Sequence, residues 1–171
     1  MEVSISIAKQ LGLMISNLIE TDFFVYSFDT APIPMIPRKT LAEWEKAFEM
    51  VVAGGMTSIG APMRALRENK QKVEQIIIIS DEGENTAPYF KEEYKKYMEE
   101  FNLAPEVIIV RCGHTTSQIT NQLVQEHLPV HAFEFSGDYY SLTNLVPLLM
   151  KPDAYTLLKE ILETEVPMRM Y

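Results

Sequence analysis

The chain has 171 residues, of which 47% are hydrophobic, and it carries a formal net charge of −9. This length accommodates one domain with a full hydrophobic core, and we therefore expect residues 1–171 to form a single domain. Proteins that bind nucleic acids directly usually carry a basic patch, so the acidic charge argues against direct nucleic-acid binding.

The sequence shows no signal for secretion or for membrane insertion. No apolar run approaches the roughly 18 residues of a membrane span, and the first residues lack the basic and then apolar character of a signal peptide. Cys112 is the only cysteine, which excludes an internal disulfide and fits a reducing compartment. We therefore expect a cytoplasmic protein that does not contact a membrane.

The chain begins with a helix and a strand. Residues 3–20 carry apolar side chains at three- and four-residue spacing, which predicts an amphipathic helix. Residues 23–28 are rich in aromatic and β-branched side chains and predict a buried strand. Residues 31–37 contain three prolines, which indicates a loop or a poor edge strand because proline cannot donate to a ladder.

Two helices are predicted next. The first covers residues 40–52, where Thr40 is a plausible N-cap and Glu43, three residues later, completes a capping box. After a glycine-containing loop, residues 58–68 predict a second, shorter helix.

Strands and helices alternate in the second half of the chain. Residues 73–80 are almost continuously apolar, the pattern of a parallel strand covered on both faces. Residues 87–101 predict a helix, with Pro88 tolerated in the first turn. Residues 106–111 predict another buried strand.

The last predicted elements are a helix over 117–127, a strand over 130–135 and two helical stretches, 141–150 and 153–163. Strands that alternate with helices at this spacing predict a mostly parallel sheet with right-handed crossovers and helices on its faces. The predicted fold class is therefore α/β.

Two loops carry the most informative residues. The segment GGMTSIG (54–60) is a glycine-hinged loop that presents Thr57 just before a helix, and SDEGEN (80–85) ends an apolar strand and is led by Asp81. Functional loops of parallel α/β sheets lie at the carboxyl ends of the strands. A hydroxyl and a carboxylate on two neighbouring loops are hard oxygen ligands of the kind that Mg²⁺ takes, usually together with several waters.

These two loop segments resemble the second and third elements of the metal-ion-dependent adhesion site (MIDAS) of von Willebrand factor type A (vWA) domains. The segment FEFSGDYYSL (133–142), followed by NLV (144–146), is similar to bacterial A-type domains, some of which form the C-terminal module of Ro-type (TROVE) RNA-binding proteins. The resemblance covers nearly the whole chain. It implies a three-layer, Rossmann-like fold and metal ligation by Thr57 and Asp81, the latter directly or through a water.

The resemblance breaks down at the start of the chain. The vWA family opens with a central strand that ends in Asp-x-Ser-x-Ser, whereas this chain enters a helical pattern within a few residues of Met1. Glu2, Ser4 and Ser6 imitate the spacing of that motif, but acids and serines are also ordinary in the first turn of a helix. We therefore expect the first central strand and its metal-site residues to be missing.

Loss of a mid-sheet strand exposes backbone groups and apolar surface. The flanking strands could close up, a second chain could fill the gap, or the domain could be marginally stable. We expect an altered sheet and a homodimer formed through its open edges.

Two interpretations remain open for Thr57 and Asp81. Either they ligate Mg²⁺ in an incomplete site, or Thr57 or the serine after it caps the following helix while Asp81 caps its own loop. Two ligands cannot hold Mg²⁺ tightly, because most of the coordination shell would be water. Asp29, Glu82 and Glu84 are the acidic residues that could assist.

An enzyme active site has little support in the sequence. Cys112 and His114 suggest a nucleophile and a base, but residues two apart on an extended segment do not face each other well. Ser136 lacks the flanking residues of a nucleophile elbow, and His127 and His131 fit a helix end and a strand start. We therefore expect no catalytic residues, with a small hydrolase as an alternative.

The sequence thus predicts a non-enzymatic, vWA-like protein-binding module with an incomplete MIDAS. The resemblance implies Mg²⁺ as the cofactor and an acidic residue of a protein partner as the group that completes the metal shell. The partner would bind the loop face around Thr57 and Asp81. The alternative is a detached Ro-type (TROVE) module that works with a separate RNA-binding partner.

Overall fold

The computed structural model describes residues 2–18, 23–49, 51, 56–112, 116–135 and 138–149. In these ranges the chain forms helices and strands, which alternate from Gly60 to Glu134. The elements are α1 (Glu2–Leu18), β1 (Val25–Phe28), β2 (Pro32–Met35), α2 (Leu41–Phe48), α3 (Gly60–Glu68), β3 (Gln75–Ser80), α4 (Phe90–Phe101), β4 (Glu106–Arg111), α5 (Gln118–Gln125), β5 (Val130–Glu134), a 3-10 helix (Tyr139–Leu145) and α6 (Val146–Leu149).

Three parallel strands form the larger sheet. Strand β4 lies between β3 and β5, with Ile77 of β3 opposite Ile108 and Val130 of β5 opposite Val107. The four β4 residues Val107–Val110 are fully buried, as expected for a parallel strand covered on both faces. The prediction of a buried strand over 106–111 is confirmed.

Helices cover both faces of this sheet. On one face, Met63 of α3 and Tyr94 of α4 share a buried cluster with Ile109 of β4. On the other face, Leu11 of α1 shares a second buried cluster with Ile108 of β4. Because side chains alternate along a strand, neighbouring β4 residues serve opposite clusters. The α/β fold class, with a Rossmann-like arrangement of helices around a parallel sheet, is confirmed.

Strands β1 and β2 form a separate antiparallel pair. Val25 lies opposite Met35 and Phe28 opposite Pro32. Prolines are confined to edge strands because they cannot donate to a ladder, so the edge-strand prediction for residues 31–37 is confirmed. Among the strands that the structure describes, none lies between β1 and β3.

The prediction that residues 73–80 form a parallel strand covered on both faces is confirmed, since Ile78 belongs to one buried cluster and Ile77 and Ile79 pack against the other. Strand β3 pairs with β4 on one side and forms the edge of its sheet, so Ile76, Ile77 and Ile79 remain half-buried. The run of isoleucines is a local feature, whereas the number of strands that pair with β3 depends on the rest of the chain.

Several element boundaries also differ from the predictions. Helix α4 begins at Phe90, so Pro88 precedes the helix and its peptide bond with Ala87 is cis. Helix α3 begins at Gly60 rather than at Ser58. The stretch predicted as one helix over 141–150 is a 3-10 helix followed by α6.

Helix α1 begins at Glu2, which agrees with the helical interpretation of the first residues. The helix predicted over 153–163, the glycines Gly54 and Gly55, and the residues His114 and Ser136 lie outside the described residues. In the described part of the chain, no helix is both long and apolar enough to cross a membrane.

Candidate functional site

Three oxygen-bearing side chains lie at one cavity between β1 and β3. The cavity encloses about 1080 Å³ and its lining includes Asp29, Thr57 and Asp81. Asp29 directly follows β1, Asp81 directly follows β3, and Thr57 precedes α3. The fold therefore brings the two predicted site residues, Thr57 and Asp81, to the same cavity, together with one of the acidic residues suggested as an assistant.

Main-chain hydrogen bonds fix these segments to one another. Thr57 N donates to Asn85 Oδ1 at 2.8 Å, and Asn85 N donates back to Thr57 O at 3.0 Å. Ser58 N donates to Asp29 O at 2.6 Å. The loop after β3, the segment before α3 and the end of β1 are thus held as one unit.

The two aspartates adopt similar local structures. Asp81 Oδ1 accepts a hydrogen bond from Gly83 N at 2.9 Å, and Asp29 Oδ1 accepts one from Ala31 N at 2.9 Å. The second bond holds the pKa of Asp29 below its usual value, so this carboxylate is ionised at neutral pH. Both side chains are accessible to solvent, and each places a negative charge where its strand ends.

Glu84 does not face this cavity but caps two helices. Its side chain is buried, and Oε1 accepts hydrogen bonds from Gly60 N at 2.9 Å and from Phe90 N at 3.0 Å. Burial raises the pKa of Glu84, although these backbone bonds oppose the rise. Because the carboxylate satisfies the N-terminal donors of α3 and α4, the suggestion that it assists a metal site is not supported.

Glu82 is likewise used inside the protein. It is fully buried, and Oε1 accepts a hydrogen bond from Arg111 Nε at 2.5 Å and one from Thr120 Oγ1 at 2.8 Å. Oε2 accepts a bond from Thr120 N at 2.8 Å. A buried carboxylate with this many partners ties the 81–85 loop to β4 and α5, and it is not available as a metal ligand.

The capping alternative is partly supported. Asp81 does cap its own loop through Gly83. Helix α3, however, receives no cap from its N-cap residue Ile59, and Ser58 Oγ donates to Pro88 O at 2.6 Å. The acceptor for the first turn of α3 is the distant Glu84, so Thr57 is not needed as a cap.

The oxygen ligands available at the cavity are too few for a complete metal shell. In the described ranges, no group of three or more His, Cys, Asp or Glu side chains has an arrangement that could hold a metal. The Thr57 hydroxyl and the carboxylates of Asp81 and Asp29 are hard donors of the right kind. Their donor types match those that Mg²⁺ prefers, but the set is incomplete, and other groups would have to supply the remaining ligands.

Asn85 is the contributor that sequence reasoning missed. It lies in the SDEGEN segment (80–85), but local sequence patterns do not indicate its hydrogen bond with Thr57, which lies 28 positions away in the chain. The only available signal was its side chain, since asparagine amides often satisfy backbone groups of neighbouring loops.

Of the residues considered for the enzyme alternative, the described ones, Cys112, His127 and His131, do not line this cavity. Cys112 is buried. His131 Nε2 lies 2.9 Å from Glu106 Oε1, at the strand starts and thus at the opposite end of the sheet from Asp81. His127 follows α5 with a positive φ of 55°, a helix-end position.

Comparison with protein-family models and with curated proteins gives no match for this chain. Among solved structures, the chain is similar to the Ro (RSR) protein of Deinococcus radiodurans, with a TM-score of 0.60 and 14% sequence identity. The match covers 85% of this chain but 29% of the Deinococcus protein, so this chain corresponds to less than a third of that protein's length. At this identity, the similarity establishes a shared fold.

Proposed function

We propose that this chain is a non-enzymatic protein-binding module of the vWA type that works through the loop face formed by Asp29, Thr57 and Asp81. The observation that carries the proposal is the convergence of these three oxygen-bearing side chains at one cavity. Main-chain bonds between their loops hold them in place. Binding sites of parallel α/β folds lie at this end of the sheet.

Mg²⁺ is the proposed cofactor of this face. Bound there, it would supply an electrophilic centre for an acidic side chain of the partner protein. The chain's own contribution is to bring Thr57 and Asp81 to one cavity and to lower the pKa of Asp29 through the hydrogen bond from Ala31 N. Because these residues alone leave most ligand positions to water, we expect weak metal binding until a partner carboxylate is present.

Thermal unfolding with and without 10 mM Mg²⁺ or Mn²⁺ tests the metal site. This metal concentration is about tenfold above the dissociation constant expected of a weak site (~1 mM). Binding to the native state would then add about 1.4 kcal/mol, which raises the midpoint by about 3–5 °C. Thr57→Ala and Asp81→Asn should abolish this rise. Asp81→Asn still offers a side-chain oxygen that can accept from Gly83 N, so a loss of metal response would report on charge rather than on loop structure.

Asp138→Asn is the matched control. Asp138 Oδ1 accepts a hydrogen bond from a backbone N–H two residues later, that of Tyr140, at 2.9 Å, as Asp81 does from Gly83. The control should keep the metal response of the parent chain. An unchanged response in both Thr57→Ala and Asp81→Asn would remove these residues from the site.

A second candidate is a Ro-related module that works with an RNA-binding partner. The fold similarity to the Deinococcus Ro protein favours it, and the net charge of −9 indicates that any RNA contact would be made by the partner. A gel-shift titration with labelled single-stranded RNA should therefore give no shift with this chain alone. A salt-sensitive shift would instead show direct RNA binding.

A further inference from the structure

The end of β3 and the loop after it alternate between buried and exposed side chains. Ser80, Glu82 and Glu84 are buried, whereas Asp81 and Asn85 are exposed. The segment therefore has an inner row of side chains, which contacts the rest of the protein, and an outer row, which belongs to the candidate site. The contacts of the inner row decide where the outer row lies.

Glu82 is the member of the inner row that directly follows Asp81, and it contacts two other elements. At the end of β4, Arg111 Nε forms an ion pair with Glu82 Oε1 at 2.5 Å. In the first turn of α5, Thr120 Oγ1 donates to Oε1 and Thr120 N donates to Oε2, both at 2.8 Å. Both carboxylate oxygens of Glu82 are thus held by charged or polar groups.

The start of α5 depends on this carboxylate. Its N-cap residue, Ser117, makes no side-chain cap bond, and Thr120 N is one of the N–H groups that a helix leaves without an acceptor in its first turn. A negative charge is favoured at this end of a helix. Glu82 therefore lies between the N-terminus of α5 on one side and the guanidinium of Arg111 on the other.

The segment before α5 also holds the main chain of residues 81 and 82. Thr116 N donates to Asp81 O at 3.1 Å, and Thr116 Oγ1 donates to Glu82 O at 3.1 Å. The main chain from which the Asp81 side chain projects is thus fixed by the same stretch of the protein that binds the Glu82 carboxylate.

The backbone conformation of Glu82 requires such support. Its φ is 63°, and a non-glycine residue persists in this left-handed region only where its surroundings hold it. The turn at this position allows Gly83 N to donate to Asp81 Oδ1 at 2.9 Å. We expect that loss of the Glu82 contacts would relax the turn and release this bond.

The ion pair also keeps the Glu82 carboxylate inside the protein. Glu82 is fully buried and the side chain of Arg111 is 16% exposed, and separation of a buried carboxylate from its cation is strongly unfavourable. Of the three carboxylates in residues 80–85, only that of Asp81 is then left at the surface.

We propose that Glu82, held by Arg111 and Thr120, is a positioning residue of the candidate site, which sets the orientation of Asp81 and makes it depend on the first turn of α5. The inference rests on the proposed function because it takes Asp81 as a residue of the site. The hydrogen bonds that carry it do not involve a metal, so the positioning role can be measured without one.

Thr120→Val and Thr120→Ser form a matched pair for this test. Valine removes the hydroxyl that donates to Glu82 at nearly the same volume and keeps the backbone bond, whereas serine keeps the hydroxyl. Hydrogen exchange of the Gly83 amide in EDTA reports on Asp81, because this N–H donates to Asp81 Oδ1. We expect Thr120→Val to lower the protection of Gly83 at least about fivefold and Thr120→Ser to lower it less than about twofold.

Tyr94→Phe separates positioning from global stability. Tyr94 OH donates to Pro105 O at 2.6 Å, at the opposite end of β4 from Arg111. Loss of this bond should lower the protection of the Ile109 amide, in the middle of β4, and leave that of Gly83 unchanged. If Thr120→Val likewise lowered the protection of Ile109 alone, the Glu82 contacts would serve stability only, and the proposal would be overturned.

Glu82→Gln is a stronger change of the same network. It removes the charge that faces Arg111 at nearly constant volume, and we expect it to lower the protection of the Gly83 amide at least about tenfold. Unchanged protection of Gly83 in this variant would overturn the proposal. Should Glu82→Gln fail to fold, the comparison of Thr120→Val with Thr120→Ser decides alone.

A titration with Mn²⁺ distinguishes this inference from the proposed function. Broadening of the Thr57 and Asp81 amide signals measures metal binding, and its apparent dissociation constant should rise at least about threefold in Thr120→Val but not in Thr120→Ser. If the parent chain binds no metal, the proposed metal site fails, while the exchange of Gly83 still decides the positioning role. Equal metal affinity of Thr120→Val and a parent chain that does bind Mn²⁺ would overturn the proposal.

Discussion

Neighbouring residues of the 81–85 loop have opposite roles. Asp81 and Asn85 are exposed and border the candidate site, whereas Glu82 and Glu84 are buried. Glu82 adopts a positive φ of 63°, a conformation that costs a non-glycine residue about 1 kcal/mol or more. The bonds from Arg111 and Thr120 offset this cost, and they place Asp81 on the outside of the loop.

Glu93 is the most heavily paired carboxylate outside the site. It is 1% exposed and forms ion pairs with Arg64 at 3.2 Å, Arg67 at 3.2 Å and Lys96 at 2.8 Å. Burial acts to raise the pKa of Glu93, but the hydrogen bonds from Lys96, Arg64 and Arg67 outweigh it, and the pKa lies below its ordinary value of 4.5.

The lowered pKa of Glu93 predicts a pH dependence of stability. The ionised form is favoured in the folded state, so its contribution to the unfolding free energy is fully present above about pH 5.5 and is lost as the pH falls through the folded pKa. Urea unfolding of the parent chain and of Glu93→Gln should therefore show a stability difference that is constant near neutrality and shrinks below about pH 4.5. Glu99→Gln, at an exposed position of the same helix, should track the parent at all pH values. A Glu93→Gln difference that grew on acidification would contradict the pKa assignment.

The residues of the site show what single-residue reasoning can and cannot give. Thr57 was identifiable because it follows two glycines just before a helix, and Asp81 because it follows an apolar strand. The structure places both residues at one cavity. Their role as metal ligands stays a prediction. The buried roles of Glu82 and Glu84 were not predictable, because their partners Arg111 and Gly60 lie 29 and 24 positions away in the chain.

At the scale of elements, helix starts fixed by local contacts were predicted from the sequence, whereas those fixed by distant residues were not. The capping box of α2 is local, and its prediction is confirmed because Thr40 accepts from Glu43 N and the Glu43 side chain accepts from Thr40 N. The start of α3 was placed two residues too early. Its acceptor is Glu84, beyond β3, and no pattern near Ser58 could have revealed it.

Gly60 marks the place where α3 meets the loop before α4. A Cβ atom at this position would lie 2.4 Å from Pro88 O and 2.5 Å from the carbonyl carbon of Tyr89. Both atoms belong to the backbone, so relief requires that α3 and the loop move apart. Such a shift would also lengthen the bonds that Glu84 accepts from Gly60 and Phe90.

Gly60→Ala should therefore destabilise the protein. We expect a loss of about 1–3 kcal/mol in the unfolding free energy, as is typical of overpacking, measured by urea denaturation. Gly83→Ala is the matched control, because its Cβ would meet the movable Asp81 side chain, with Oδ1 at 3.2 Å. A Gly60→Ala variant as stable as the parent would show that α3 and the 87–89 segment can separate at no cost.

The edge position of β3 could not be read from its sequence. A run of four isoleucines, Ile76–Ile79, indicates an apolar environment but not how many strands pair with it. Pairing is decided by the rest of the chain, where the strand after α1 joins a proline-containing neighbour in a separate pair. The same non-local choice leaves the cavity between β1 and β3.

At the scale of the whole molecule, helix and strand periodicity was sufficient for the fold class. The alternation of strands with helices predicted a parallel sheet covered on both faces, and β3, β4 and β5 form one. The division into two sheets was not specified by periodicity, because it depends on which edges meet. The expectation of an altered sheet came from the vWA resemblance, and the expectation of a homodimer remains to be tested by mass.

The division into two sheets also predicts unequal local stability. Strand β4 has neighbours on both edges and buried clusters on both faces. Strand β1, by contrast, pairs with a four-residue strand that contains two prolines, and its other edge borders the cavity. Regions with fewer buried contacts and fewer ladder bonds open at lower free energy than the core.

Native-state hydrogen exchange should reveal this difference. The β1 amides of Val25 and Ser27, which face β2, should exchange through openings several kcal/mol below the free energy of global unfolding and nearly independent of low urea concentrations. The amides of Ile108 and Ile109 in β4 should exchange only through global unfolding, with a steep urea dependence. Equal free energies for the two sets would mean that the β1–β2 pair and the parallel sheet unfold together. The cavity would then lie inside one cooperative unit.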